Sequence, residues 1–74
     1  MDLRTMIVEA LEKRYEAQLA ESDATIKIYL ENSVGIGEHP QHIEEVNKQF
    51  DKIAQAKEKL AVLEEFEPER GEVL

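Results

Sequence analysis

Hydrophobic residues recur in steps of three and four over two long segments of this chain, and a short cluster of glycine and proline separates the two. Residues 2–32 contain neither glycine nor proline, and Pro40 opens the second segment. Good helix formers dominate the first segment. Spacing of this kind is typical of amphipathic helices. The sequence therefore predicts an all-α chain, with helices at about 2–32 and about 40–66 and a bend at 33–39.

Residues that favour helix ends stand at the boundaries of these segments. Asp2 can cap the first helix by accepting a backbone N–H from its first turn. Gly35 is a natural residue just beyond a helix C-terminus, and Pro40 is favourable at a first helical position. Pro68 ends the second pattern, and we expect residues 67–74 to form a flexible acidic tail.

A seam of large side chains runs along each predicted helix. The seam of the first helix contains Val8, Leu11, Tyr15, Leu19, Ser22, Ile26, Tyr29 and Leu30. The seam of the second contains Ile43, Val46, Phe50, Ile53, Ala54, Leu60 and Leu63. Helices of similar length joined by a short connection pack as antiparallel neighbours. We therefore predict a hairpin with a core of Leu11, Tyr15, Leu19, Ile26, Val46, Phe50, Ile53 and Leu60.

Three pairs of opposite charges have the spacing of ion pairs on the solvent side of a helix. They are Glu9 with Lys13, Asp23 with Lys27, and Glu44 with Lys48. Each such pair contributes a few tenths of a kcal/mol to helix stability.

A second stripe lies on nearly the opposite side of the first helix. It consists of Leu3, Met6, Ile7, Ala10, Ala17, Ala20, Ala24 and Ile28. A lone hairpin needs one buried face per helix, so a second stripe indicates a further partner. The competing interpretation is that alanine is simply the best helix former for an exposed face.

A four-helix bundle made of two hairpins would bury both stripes. We therefore predict a homodimer, with assembly on a different partner chain as the alternative. The residues expected to make the assembly contacts are Leu3, Ile7, Ala10, Ala17 and Ala24.

Length and charge narrow the function classes. The chain has 74 residues, no cysteine and a net charge of -8. A single core of this size supplies little stability, and without disulfides oligomerisation becomes the expected source of extra burial. Scattered bases in an acidic chain argue against nucleic-acid binding. No apolar run approaches the roughly 20 residues that span a bilayer, and no signal peptide is recognisable, so we expect a cytoplasmic protein without membrane contact.

The bend carries the residues that could be functional. Val34 and Ile36 flank Gly35, where apolar side chains commonly fold back on the preceding helix; the alternative is a docking site. His39 and His42 are weak metal candidates, because a zinc site needs three or four ordered ligands and these two lie near a bend. The chain offers no nucleophile–base arrangement, so we expect neither an enzyme nor a cofactor.

The segment from Tyr29 to Pro40, followed by Ile43-Glu44-Glu45, resembles a group of small helical-hairpin proteins from tailed, T4-like phages of marine bacteria such as cyanophages. The resemblance covers about the central third of the chain, and Gly35 to His39 is its most distinctive part. That group has no assigned activity, so the resemblance implies no catalytic residue. It implies a phage accessory protein that acts in the cytoplasm of an infected bacterium.

We therefore expect a non-enzymatic protein that self-associates and acts by protein–protein contact with a host or phage protein. One alternative is a structural component of the virion, which would use the same seams to dock on a capsid or tail protein. Another is an acidic inhibitor of a host nucleic-acid-binding protein, in which the tail after Phe66 would be the active part.

Overall fold

The structure is a computed structural model that describes residues 2–31 and 41–67 of the chain. This part of the chain consists mainly of two helices. Helix α1 spans Leu3–Glu31 and helix α2 spans Gln41–Glu64. The two helices pack against each other, and the described ranges contain no strand. The predicted all-α hairpin is confirmed to this extent, and the residues of the bend lie outside the described ranges.

The N-terminal cap of α1 forms as predicted. The Oδ1 atom of Asp2 accepts a hydrogen bond from the backbone N–H of Thr5 at 2.8 Å, and the Asp2 carbonyl accepts one from the N–H of Met6 at 3.1 Å. The hydrogen bonds from Thr5 favour the charged carboxylate and hold the pKa of Asp2 below its ordinary value of 3.8. The cap therefore satisfies one of the free N–H groups of the first turn.

We expect Asp2→Ala to lower the melting temperature of the chain at neutral pH, because the N–H of Thr5 loses its acceptor. The pKa of Asp2 is lowered in the folded chain, so its stabilising effect is present above 3.8 and is lost as the pH falls through the folded value. In circular-dichroism melts, the difference between wild type and Asp2→Ala should shrink on acidification. Asp2→Asn is the control, because its uncharged oxygen should cap the helix independently of pH. A wild-type advantage that stayed constant into strong acid would contradict this role.

Contacts at both ends of the hairpin show that the helices run antiparallel. At one end, a guanidinium nitrogen of Arg4 donates to the carbonyl oxygen of Phe66 at 3.2 Å. At the other end, the rings of Tyr29 and His42 lie 6.0 Å apart with a tilt of 60°. The start of α1 therefore lies beside the end of α2.

Burial follows a seven-residue repeat in both helices. The protected positions of α1 are Thr5, Val8, Glu12, Tyr15, Leu19, Ser22, Ile26 and Tyr29. Those of α2 and the residues just after it are His42, Val46, Gln49, Ile53, Ala56, Leu60, Leu63 and Glu67. The steps alternate between three and four, which is the spacing of an antiparallel two-stranded coiled coil. Four flanking side chains are also partly shielded, namely Leu11, Gln18, Thr25 and Glu45.

The most deeply buried side chain of this seam is polar. Ser22 has an exposure of 0%, and its Oγ accepts a hydrogen bond from Nε2 of Gln18 at 2.9 Å. A small side chain at this position allows the helices to approach closely, and the hydrogen bond compensates the hydroxyl for the loss of water. The buried hydrophobic residues of the described part are Val8, Ile26, Ala56 and Leu63.

Part of the predicted core is confirmed. Ile26 is buried, and six other predicted core residues are half-buried, namely Leu11, Tyr15, Leu19, Val46, Ile53 and Leu60. The prediction that Phe50 lies in the core is wrong, because this residue is 56% exposed. The seam passes through Gln49 instead, one residue earlier, so Phe50 lies on its flank.

The predicted seams contain three further errors. Leu30 and Ile43 are exposed, and so is Ala54, while the buried alanine of α2 is Ala56 at 3% exposure. Each wrongly predicted residue is one or two positions from a true seam residue. A shift of one or two positions changes the direction of a side chain around the helix axis by about 100° or 200°.

Of the predicted ion pairs, only that of Asp23 with Lys27 forms as expected, at 3.4 Å. Lys48 pairs with Glu45 at 3.3 Å rather than with Glu44. Both pairs lie in solvent, where such contacts contribute little to stability.

Candidate interaction surfaces

Large hydrophobic side chains are more numerous on the surface of the described hairpin than in its core. Nine of them are at least half exposed, against four buried hydrophobic residues. The exposed ones are Leu3, Met6, Ile7, Ile28, Leu30, Ile43, Phe50, Val62 and Phe66. Single exposed apolar residues are ordinary, but contiguous ones mark interaction surfaces. Most of these nine side chains fall on three surfaces.

The first surface is an open groove between the start of α1 and the end of α2, here named the terminal groove. Its apolar lining consists of Leu3, Ile7, Val8, Leu11, Tyr15, Val62, Leu63 and Phe66. Arg4 and Lys59 bring positive charge to its lining, and the ammonium of Lys59 lies 5.6 Å from the centre of the Tyr15 ring. The lining of the terminal groove is therefore mostly apolar, and its charged residues are Arg4, Lys59 and Glu58.

The second surface lies at the opposite end of the hairpin and is named the bend-end patch. It is lined by Tyr29, Leu30, His42, Ile43, Val46, Asn47 and Phe50. Phe50, which was wrongly predicted in the core, lies here, together with Leu30 and Ile43, which were wrongly predicted in the seams.

The third surface is the side of α1 that faces away from α2, here named the outer face. It consists of Leu3, Ile7, Ala10, Arg14, Ala17, Glu21, Ala24 and Ile28. All eight residues are exposed and succeed one another in steps of three and four, so they share one side of the helix. The five residues predicted to make assembly contacts all lie on this face.

Two charged residues of the outer face escaped the sequence analysis. Arg14 and Glu21 occupy positions between the alanines, seven residues apart. The apolar pattern alone does not select them, because a search for hydrophobic stripes passes over charged side chains. Their spacing was the available signal, since each follows an alanine by four residues and precedes the next by three.

The outer face and the terminal groove are continuous, because Leu3 and Ile7 belong to both. Met6 and Ala20, which the sequence analysis placed in the same stripe, each directly precede a residue of the outer face. At about 100° per residue, they lie to one side of it.

The histidine candidates for a metal site are only partly described. His39, like Val34 and Ile36, lies outside the described residues. The ring of His42 packs near Tyr29, and its Nε2 atom is buried without a hydrogen-bond partner among the described residues. Within residues 2–31 and 41–67, no three histidine or acidic side chains lie together in a way that could hold a metal ion.

The terminal groove, the bend-end patch and the outer face are thus open surfaces with mostly apolar residues. Neither described helix has a long enough apolar stretch to cross a membrane. No family model, curated protein or solved structure matches this chain.

Proposed function

We propose that this chain is a non-enzymatic interaction protein that self-associates through the outer face of α1. Two hairpins joined in this way place their α1 helices side by side at the centre, with the α2 helix of each copy on the outside, so the four helices form one layer. The observation that carries the proposal is the outer face itself, which runs along α1 and is exposed from Leu3 to Ile28.

The small core supports self-association. One of the four buried hydrophobic residues is an alanine, and polar side chains such as Ser22 and Gln49 occupy other seam positions. A core of this size rarely supplies more than about 3–5 kcal/mol. Association of the folded chain with a second copy adds stability by mass action. Apolar surface buried in that contact contributes roughly 25 cal/mol per Å².

A biological setting follows from the segment between Tyr29 and Pro40. Because it resembles small proteins of tailed phages, we place this chain among phage accessory proteins that act in the cytoplasm of an infected bacterium. The assembled hairpins would act there by contact with a host or phage protein. The bend-end patch lies away from the centre of the outer face and is available for such a contact.

A charged residue on the outer face should prevent self-association. We expect Ile7→Lys to convert the dimer to a folded monomer, because the lysine would be placed in an apolar contact without a partner. The matched control is Leu30→Lys, which adds the same charge to α1 at an exposed position outside the outer face. Light scattering coupled to size-exclusion chromatography measures the mass of both variants, and circular dichroism reports whether they fold.

The masses of the two lysine variants, compared with each other, show whether the outer face makes the contact. A monomeric Ile7→Lys beside a dimeric Leu30→Lys supports the outer face as the contact. Equal masses for the two variants, at wild-type helicity, would contradict it.

A further inference from the structure

We infer that the two copies meet antiparallel across a twofold axis near Ala17, with Arg14 of each copy beside Glu21 of the other. This inference rests on the proposed self-association and adds the orientation of the two hairpins. It makes the interface isologous, so that one surface of the chain is complementary to itself.

The order of residues on the outer face supports this orientation. Between its two isoleucines, the face has the sequence isoleucine, alanine, arginine, alanine, glutamate, alanine, isoleucine, at Ile7, Ala10, Arg14, Ala17, Glu21, Ala24 and Ile28. Apart from the two charges, this order is the same from either end, to within one residue in spacing. A twofold axis at its centre therefore places alanine against alanine and isoleucine against isoleucine.

The two charges distinguish the possible orientations. In the antiparallel dimer, Arg14 faces Glu21 of the second copy, and symmetry repeats the pair. In a parallel dimer in register, each arginine would face an arginine and each glutamate a glutamate. Like charges in contact disfavour a complex, whereas complementary ones set its orientation.

The side chains of Arg14 and Glu21 are available for such pairs. Both side chains are exposed, and neither the Arg14 guanidinium nor the Glu21 carboxylate takes part in an ion pair or hydrogen bond among the described residues. The hydrogen bond from the Thr25 hydroxyl goes to the backbone carbonyl of Glu21. An arginine can bind a carboxylate through two parallel hydrogen bonds, which fixes geometry as well as charge.

The alanines of the outer face and the terminal groove are also compatible with an antiparallel contact between the two copies. Small side chains at Ala10, Ala17 and Ala24 allow helix axes to approach at the lower end of the usual range of about 8–10 Å. At each end of the contact, Ile28 of one copy reaches the level of Ile7 in the other, beside the opening of the terminal groove. The interface therefore continues from the outer face into an apolar surface that is open in the single chain.

Charge reversal at the two positions tests the orientation. Arg14→Glu alone and Glu21→Arg alone each replace two attractive pairs with two repulsive ones. We expect each to weaken dimerisation at least tenfold, equivalent to about 1.4 kcal/mol. The double variant restores both pairs with exchanged charges and should dimerise within about threefold of wild type. Sedimentation velocity over a concentration series gives the dissociation constants.

The dissociation constants of the four proteins distinguish a wrong orientation from a failure of self-association. Weak single variants with a restored double variant support the antiparallel pairs. A parallel dimer keeps the same number of like-charge contacts in every variant, so four similar dissociation constants would overturn the inference and leave self-association intact. A wild-type chain that stays monomeric would overturn the proposed function itself.

Cysteine cross-linking provides a second readout that does not depend on electrostatics. The chain contains no cysteine, so each introduced thiol is unique. We expect isotopically labelled Ala10→Cys, mixed with unlabelled Ala24→Cys and oxidised, to form the mixed disulfide, which mass spectrometry identifies. Ala10→Cys alone should cross-link poorly. Efficient cross-linking of Ala10→Cys to itself would show a parallel dimer and overturn the inference.

Discussion

Replacement of Ala56 by glutamate is expected to unfold the chain, whereas the same replacement at Ala54 should be nearly neutral. Ala56 is 3% exposed at a seam position between the helices, and Ala54 lies in solvent two residues earlier. A carboxylate forced into the seam without a partner costs more than about 3 kcal/mol. That loss is comparable with the whole stability that a core of this size supplies.

The two alanine variants are matched in charge and in helix propensity, and both positions lie in the interior of α2. Circular dichroism at 222 nm and thermal melts compare them directly. Loss of helix in Ala56→Glu with a melt near that of wild type for Ala54→Glu is the expected result. Similar melts for the two variants, or the reverse order, would show that the seam of α2 lies elsewhere.

Truncation of Leu63 is expected to have the second large effect. Leu63 is 7% exposed, and Leu63→Ala removes buried methyl groups and leaves a cavity, at a cost of about 2–5 kcal/mol. Phe50→Ala removes a larger side chain from a position that is 56% exposed. We therefore expect Phe50→Ala to change stability by less than about 1 kcal/mol.

This comparison reverses the order that residue size alone predicts. Urea unfolding of both variants at one protein concentration gives the two changes in free energy. A greater loss for Phe50→Ala than for Leu63→Ala would mean that Phe50 is buried, either in a different helix register or in a contact of the bend-end patch. A different helix register would contradict the seam through Gln49 and Ala56, and a concentration dependence of the Phe50→Ala effect would identify the contact instead.

The sequence predicts the helices better than it predicts their faces. Absence of glycine and proline up to residue 32 and the cap at Asp2 identify α1 because they act locally along the chain. The seam of α1 follows from Val8, Ser22 and Ile26, since side chains with the correct spacing are buried there.

The seam of α2 could be predicted only in part from hydrophobicity, which selects Val46, Ile53, Leu60 and Leu63 correctly. It includes Gln49 and a small residue, Ala56, while the larger Phe50 lies beside it in solvent. Which side of α2 is buried depends on its match to α1, where the buried Ser22 leaves room for close approach. A pattern read along one helix does not contain that information.

The interaction surfaces were predictable in part. The alanine spacing indicates the outer face, and the structure leaves all of it exposed. The sequence alone does not single out Arg14 and Glu21. Their symmetric placement points to a contact with a second copy only when the outer face is known to be free of α2. The terminal groove depends on contacts between the two ends of the chain, including the hydrogen bond of Arg4 to Phe66, which sequence periodicity does not specify.

Sedimentation equilibrium of the 74-residue chain at neutral pH tests the central claim of self-association most directly. The chain has a mass of 8.5 kDa. We predict a species of twice that mass at micromolar concentration, with helicity retained. A well-folded helical monomer of 8.5 kDa throughout the concentration range would contradict the account.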